Sequence, residues 1–170
     1  MSMKSIKQGW KRLFNSVMRK RKRKILVFDT SVLINYLRGR DLAADAFAKA
    51  SEVGEIWLTI VSLLELHPLQ KSNVEIQADL KKVEHLQKAY RLKVVPIPSE
   101  AQWFALNEIA LYHRSTLGKC WLLDSLILGC GIKKNIYLVT EEDAWVQLTK
   151  DAKRPLDLQV IKPTVLVQDA

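Results

Sequence analysis

The sequence predicts an α/β fold: a three-layer sandwich with a mostly parallel central sheet between two layers of helices, preceded by a basic helical arm. Three observations predict it. Short continuous apolar runs alternate with longer amphipathic stretches, as expected when helices connect parallel strands buried on both faces. The 170 residues are 48% hydrophobic and 26% charged, an ordinary composition for one globular domain. Six Gly and five Pro are too few for a linker-rich array, and no run of apolar residues is long enough to span a bilayer.

Taken in order, Ile25–Phe28 reads as the first strand. Ser31 is placed to cap the helix that follows it, and Asp41 the next. Ile56–Ile60 reads as a second strand, and Ser62 to about Gln70 as a short helix stopped near Pro68. Val74–Leu92 is a long helix with Leu80, Val83, Leu86 and Tyr90 on one side. Val94–Ile97 is a third strand whose Pro96 suggests an edge or a strand end. Ser99–His113 is helical with Ser99 as its cap, and Trp121–Lys133 is an apolar helix carrying Asp124. Ile136–Thr140 is a fourth strand, a helix starts near Glu142, and Leu158–Ile161 is a candidate fifth strand. The organisation expected is an arm over residues 1–23, a domain over 24–163 and a tail over 164–170.

Charge is unevenly distributed. The formal net charge is +9, yet ten of the 27 Lys and Arg lie in residues 1–24, where there is no acid. The remaining 146 residues hold 17 bases against 18 acids, so the body is about neutral. In the arm, Ile6, Trp10, Leu13, Phe14 and Val17 fall on one helical stripe, followed by six consecutive bases, Arg19–Lys24. Three readings stand side by side: a helix packed on the body, contact with RNA phosphates, or interfacial binding of residues 4–20 to a membrane surface. A transit peptide and a start at Met18 are further readings. Cys120 and Cys130 complete neither a zinc set nor a disulfide framework, so a reducing, cytoplasmic setting is expected.

The acids carry the functional signal. Asp29 directly follows the first strand, and Glu141, Glu142 and Asp143 follow the fourth, at the carboxyl ends where sites in such sheets lie. Glu65 and Asp124 sit inside apolar stretches, where a carboxylate is costly to desolvate. No Lys or Arg lies within four residues of either. Crowded like charges raise one another's pKa. A divalent cation removes that penalty, and hard carboxylate oxygens suit Mg²⁺ or Mn²⁺. With only three His, zinc is disfavoured.

These residues resemble a PIN domain, the nuclease fold of VapC-type toxins. The match spans about residues 24–163. Leu26-Val27-Phe28-Asp29-Thr30-Ser31-Val32-Leu33-Ile34 resembles the family's opening strand and first acid, and Ser62-Leu63-Leu64-Glu65-Leu66 the segment of the second. Asp124-Ser125-Leu126-Ile127-Leu128 resembles the helix of the third. Leu138-Val139-Thr140-Glu141-Glu142-Asp143-Ala144-Trp145 resembles the final block, which puts the fourth acid on Glu142 and the closing aromatic on Trp145. Glu142 stands where Asp is commoner, so Asp143 is a substitute.

The resemblance implies a metal-dependent endoribonuclease hydrolysing RNA phosphodiesters, with Asp29, Glu65, Asp124 and Glu142 as both catalytic and metal-binding residues. Thr30, Ser31 and Thr140 are expected to orient carboxylates or a bound water. Arg38, Arg40, Arg114 and Lys119, with Arg21 and Arg23 of the arm, are candidates for binding substrate. The partners implied are RNA, an antitoxin protein and a second copy in a homodimer, with Val74–Leu92 and Trp103–Leu106 offering spare apolar area. The alternative is a catalytically degenerate PIN-like module that binds RNA or a partner, with the arm associating with membrane or RNA. A phosphoryl-transfer enzyme using Asp29 as nucleophile wants a second Asp two residues on, where Ser31 stands.

Overall fold

The computed structural model describes residues 24–66, 72–118 and 121–168. The arm, with Arg21 and Arg23, lies outside the described residues, as do Lys119 and Cys120.

Five strands form one wholly parallel sheet: β1 (Lys24–Phe28), β2 (Gly54–Thr59), β3 (Lys93–Val95), β4 (Ile136–Val139) and β5 (Gln159–Ile161), in the order β3-β2-β1-β4-β5. The chain builds outward from β1 through β2 to β3, then returns to place β4 on the other side of β1. Phe28 is in register with Leu58 on one side and Val139 on the other. The order therefore reverses beside β1, and a crevice opens outside the carboxyl ends of the strands there.

Alternation along the strands divides the core in two. Leu26, Phe28, Ile56 and Leu58 point into one layer, where Phe28 stacks on Phe47 with ring centroids 4.2 Å apart. That layer is closed by α1 (Thr30–Leu37), α2 (Asp41–Val53) and α4 (Asn73–Tyr90). Val27, Ile136 and Leu138 point into the other, with Ile109, Ile127, Leu128 and Trp145. It is closed by α5 (Ser99–Phe104), a π-helical segment Ala105–His113, α6 (Arg114–Leu117), α7 (Trp121–Gly129) and α8 (Asp143–Leu148). A short α3 (Ile60–Glu65) follows β2, and α9 (Pro163–Gln168) closes the described chain. Residues 164–168 of the expected tail thus belong to a helix that packs on α2 and buries Leu166.

Three caps differ from expectation. The N-cap of α1 is Asp29, whose Oδ1 accepts the Thr30 N–H, and Ser31 lies inside the helix. Arg40 and Pro98 precede α2 and α5, leaving Asp41 and Ser99 as first-turn residues. In each case a cap-favouring side chain stands one or two places past the residue with the extended backbone that a cap requires. The long helix does begin on a capping box, Ser72 with Glu75. Where α7 crosses α5, a Cβ on Gly129 would lie 2.3 Å from the Ala101 carbonyl oxygen, so only glycine permits the approach. Among the described residues no helix is long and apolar enough to cross a membrane.

Candidate active site

Four elements converge at the crevice. Asp29 is delivered by the end of β1, Glu65 by the end of α3, Asp124 by the first turn of α7, and Glu142 by the N-cap of α8 just past β4. Asp29 is 3% exposed. Its carboxylate nonetheless accepts three hydrogen bonds: beside the Thr30 N–H to Oδ1 at 2.7 Å, the hydroxyls of Ser31 and Thr140 donate to Oδ2 at 2.6 and 2.8 Å.

The same hydroxyls tie the strand ends together. Thr30 donates to Glu65 Oε2, joining β1 to α3. Ser31 Oγ accepts the Glu141 N–H at 3.2 Å, and Thr140 Oγ1 accepts the Glu142 N–H at 3.0 Å. All three hydroxyl residues singled out from the sequence therefore lie in one network around Asp29. Each hydroxyl gives its proton to a carboxylate, which favours the ionised acceptor.

Burial opposes that ionisation. Desolvation raises Asp29 above its ordinary value against the pull of its hydrogen bonds, and raises Glu65, to which Asp29 adds repulsion. Asp124 is pushed up to about 7, first by desolvation and then by the charges of Asp29, Glu65 and Glu142. The four acids thus share one electrostatic environment. None of them has a Lys or Arg ion-pair partner among the described residues. Nor, among the described residues, do three His, Cys, Asp or Glu side chains stand close enough to enclose a metal directly. An all-oxygen donor set with wide spacing suits a hard cation that keeps much of its own water, as Mg²⁺ does.

The remaining candidates are dispersed. Asp143 is 87% exposed at its side chain and pairs with Lys162 at 2.9 Å, which engages its carboxylate. Lys162 also donates to the Glu141 carbonyl. Arg38 and Arg40 are exposed at the far end of α1, a helix of eight residues and so about 12 Å from Asp29. Arg114 is exposed at the start of α6, which packs against α8. Trp145 is wholly buried, a core residue. Within Trp103–Leu106, Trp103 and Leu106 are exposed and Ala105 is buried, whereas Val83 and Leu86 of α4 belong to the core. Sequence reasoning missed Lys162; its partners lie 19 and 21 residues away and leave no local pattern.

Known proteins share this frame. VapBC2 from Rickettsia felis, solved bound to a DNA fragment from its promoter, is similar with a TM-score of 0.60 and 18% identity, over 81% of this chain and 98% of that one. VapBC-1 from nontypeable Haemophilus influenzae is similar at 0.60 and 16%, over 82% and 98%. FitAB bound to an IR36 DNA fragment is similar at 0.51 and 16%, over 81% and 94%. At such identities the likeness is one of fold. No curated protein matches the sequence. The family model for the PIN domain matches residues 26–150, nearly three-quarters of the sequence, and the chain belongs to the PIN domain family.

Proposed function

We propose that this protein is a metal-dependent endoribonuclease that hydrolyses RNA phosphodiester bonds, and that it is the toxin of a toxin–antitoxin pair. The observation that carries the reading is the electrostatic coupling of Asp124 to Asp29, Glu65 and Glu142, with no cationic side chain paired to any of them among the described residues. Such a cluster is unfavourable by itself and is relieved by a divalent ion.

Asp29, Glu65, Asp124 and Glu142 would hold Mg²⁺ or Mn²⁺. Bound there, the ion supplies an acidified water and relieves charge on the scissile phosphate. The chain's own groups prepare the place. The hydroxyls of Ser31 and Thr140 hold Asp29 in place and favour its ionised form against burial, and Thr30 does the same for Glu65. Desolvation and the charges of Asp29, Glu65 and Glu142 make the Asp124 carboxylate costly to ionise alone, and a bound cation relieves that cost. Arg38, Arg40 and Arg114 are exposed cations available to RNA.

The VapBC folds support an antitoxin partner, and exposed Leu64, Trp103, Leu106 and Leu122 give a protein partner or a second copy apolar area to cover. We place the protein in the cytoplasm on the same grounds. The test is cleavage of bulk RNA in Mn²⁺ by the wild type and by Asp29→Asn. Metal-dependent cutting that the variant loses by at least a hundredfold is expected. No metal-dependent cutting, or equal cutting by both, refutes the reading.

A further inference from the structure

A near-neutral body with clustered carboxylates repels a polyanion unless cations are concentrated elsewhere along its path. They are concentrated beyond the C-terminal end of α8. Lys150, Lys153 and Arg154 follow that helix, and Arg114 opens α6, which packs against it. All four are exposed, and among the described residues Arg114, Lys150 and Lys153 have no ion-pair partner.

The segment is held in a fixed shape. Asp151 Oδ1 accepts the backbone N–H of Lys153 at 2.8 Å and of Arg154 at 2.9 Å, forming a tight turn. Arg154 then reaches the π-helical segment. Its Nε donates to Glu108 Oε2 at 2.7 Å, a second guanidinium nitrogen donates to Oε1 at 2.9 Å, and the plane lies over the Tyr112 ring, 4.0 Å from its centroid. Ala101 of α5 and Ala105, Ile109 and His113 of the π-helical segment form one buried row, while Trp103, Leu111 and Tyr112 face outward, each more than half exposed. Nearly half of the Arg154 side chain also faces solvent.

A guanidinium stacked on a phenol ring and locked by a two-pronged ion pair is a flat cationic platform. Unpaired nucleobases stack on such planes, and neighbouring lysines neutralise the phosphates between them. We propose that Tyr112 and Arg154, with Arg114, Lys150 and Lys153, form the track that holds single-stranded RNA beside the carboxylate crevice. The inference rests on the nuclease reading and assigns its substrate contacts. The six-residue α8 spans about 9 Å from Glu142, so the track begins within a short strand's reach of the acids. Cations outnumber the carboxylates Glu108 and Asp151 here, which favours nucleic acid over a protein partner.

The test measures binding of a short fluorescein-labelled single-stranded RNA to the full chain in EDTA across a salt series, alongside cleavage in Mn²⁺. Arg114→Gln/Lys150→Gln/Lys153→Gln is expected to weaken binding about tenfold or more and to lower the salt slope by about 2. Tyr112→Leu is expected to weaken it about tenfold, with Tyr112→Phe retaining affinity because the ring is kept. The exposed substitutions of the triple variant leave its melting curve unchanged. Unchanged affinity and slope in the triple variant, while the wild type binds and cuts RNA, overturn this inference alone. So does loss of self-association with RNA affinity intact, which assigns the face to a protein contact. A wild type that neither binds nor cuts RNA sinks the nuclease reading and the track with it.

Discussion

Removing one charge from the crevice tests its electrostatics directly, and Asp124→Asn is the cleanest removal. The Asp124 carboxyl lies at about 7 in the folded protein against an ordinary 3.8. Below the ordinary value it is protonated folded or unfolded. As pH rises from 4 towards 8 the unfolded chain releases the proton first, so stability falls through that window and the loss is complete above 7. At full strength the gap is worth no more than ~4 kcal/mol. The side chain is only half-buried, and solvent screening brings this to about 2 kcal/mol. Asn carries no charge and escapes the penalty. In EDTA at pH 8 the variant should therefore melt roughly 4–8 °C above the wild type, with the difference vanishing towards pH 4. Saturating Mn²⁺ should reverse the order at pH 8, because ligand binding stabilises the wild type by about 3 kcal/mol at a hundredfold excess over Kd. Thermal melts followed by circular dichroism from pH 4 to 9, with and without Mn²⁺, read this out. A wild type as stable as the variant at pH 8 in EDTA would show that the four acids do not repel one another, and the case for a cation there would fail.

Thr140→Val removes both the donor to Asp29 and the acceptor of the Glu142 N–H inside a fully buried site. Urea denaturation should show a loss of about 2 kcal/mol, and Mn²⁺ titration an affinity roughly tenfold weaker. Gly129→Ala drives a methyl against the Ala101 carbonyl, and should cost about 2 kcal/mol in the same denaturation assay with little effect on RNA affinity. Asp143→Asn loses only an exposed pair with Lys162 and should change stability by less than about 1 kcal/mol and leave cleavage intact. Glu142→Gln, in contrast, should lower cleavage at least tenfold in a fixed-time RNA digestion; loss in Asp143→Asn with full activity in Glu142→Gln would exchange their roles.

The central strands were legible because β1 and β4 are apolar runs closed by a polar residue, Asp29 and Thr140, and Asp29 could be placed at the crevice because it follows Phe28 without a gap. Glu65 and Asp124 stood out for a physical reason, the expense of a carboxylate in an apolar helix, and desolvation is the largest cause of the upward shift at both. Caps were less legible. Ser31 and Asp41 have the right chemistry, but a cap is chosen by backbone angles, and Asp29 and Arg40 hold the extended conformation. The π-helical segment left only a trace, a buried row spaced by four that a seven-residue pattern shares. The links from Thr30 to Glu65 and from Thr140 to Asp29 span 35 and 111 residues and have no local signature.

The central strand has a consequence for synthesis. β1 receives β2 as one neighbour early, but its other neighbour, β4, lies more than a hundred residues downstream. Thr140 and Glu142 follow β4, so a nascent chain still on the ribosome holds Asp29 and Glu65 without the groups that complete their surroundings. Closure of that long loop is the slow, late step of parallel-sheet assembly. The crevice is therefore finished only once the segment after β4 has emerged, when most of the domain is already outside the ribosome.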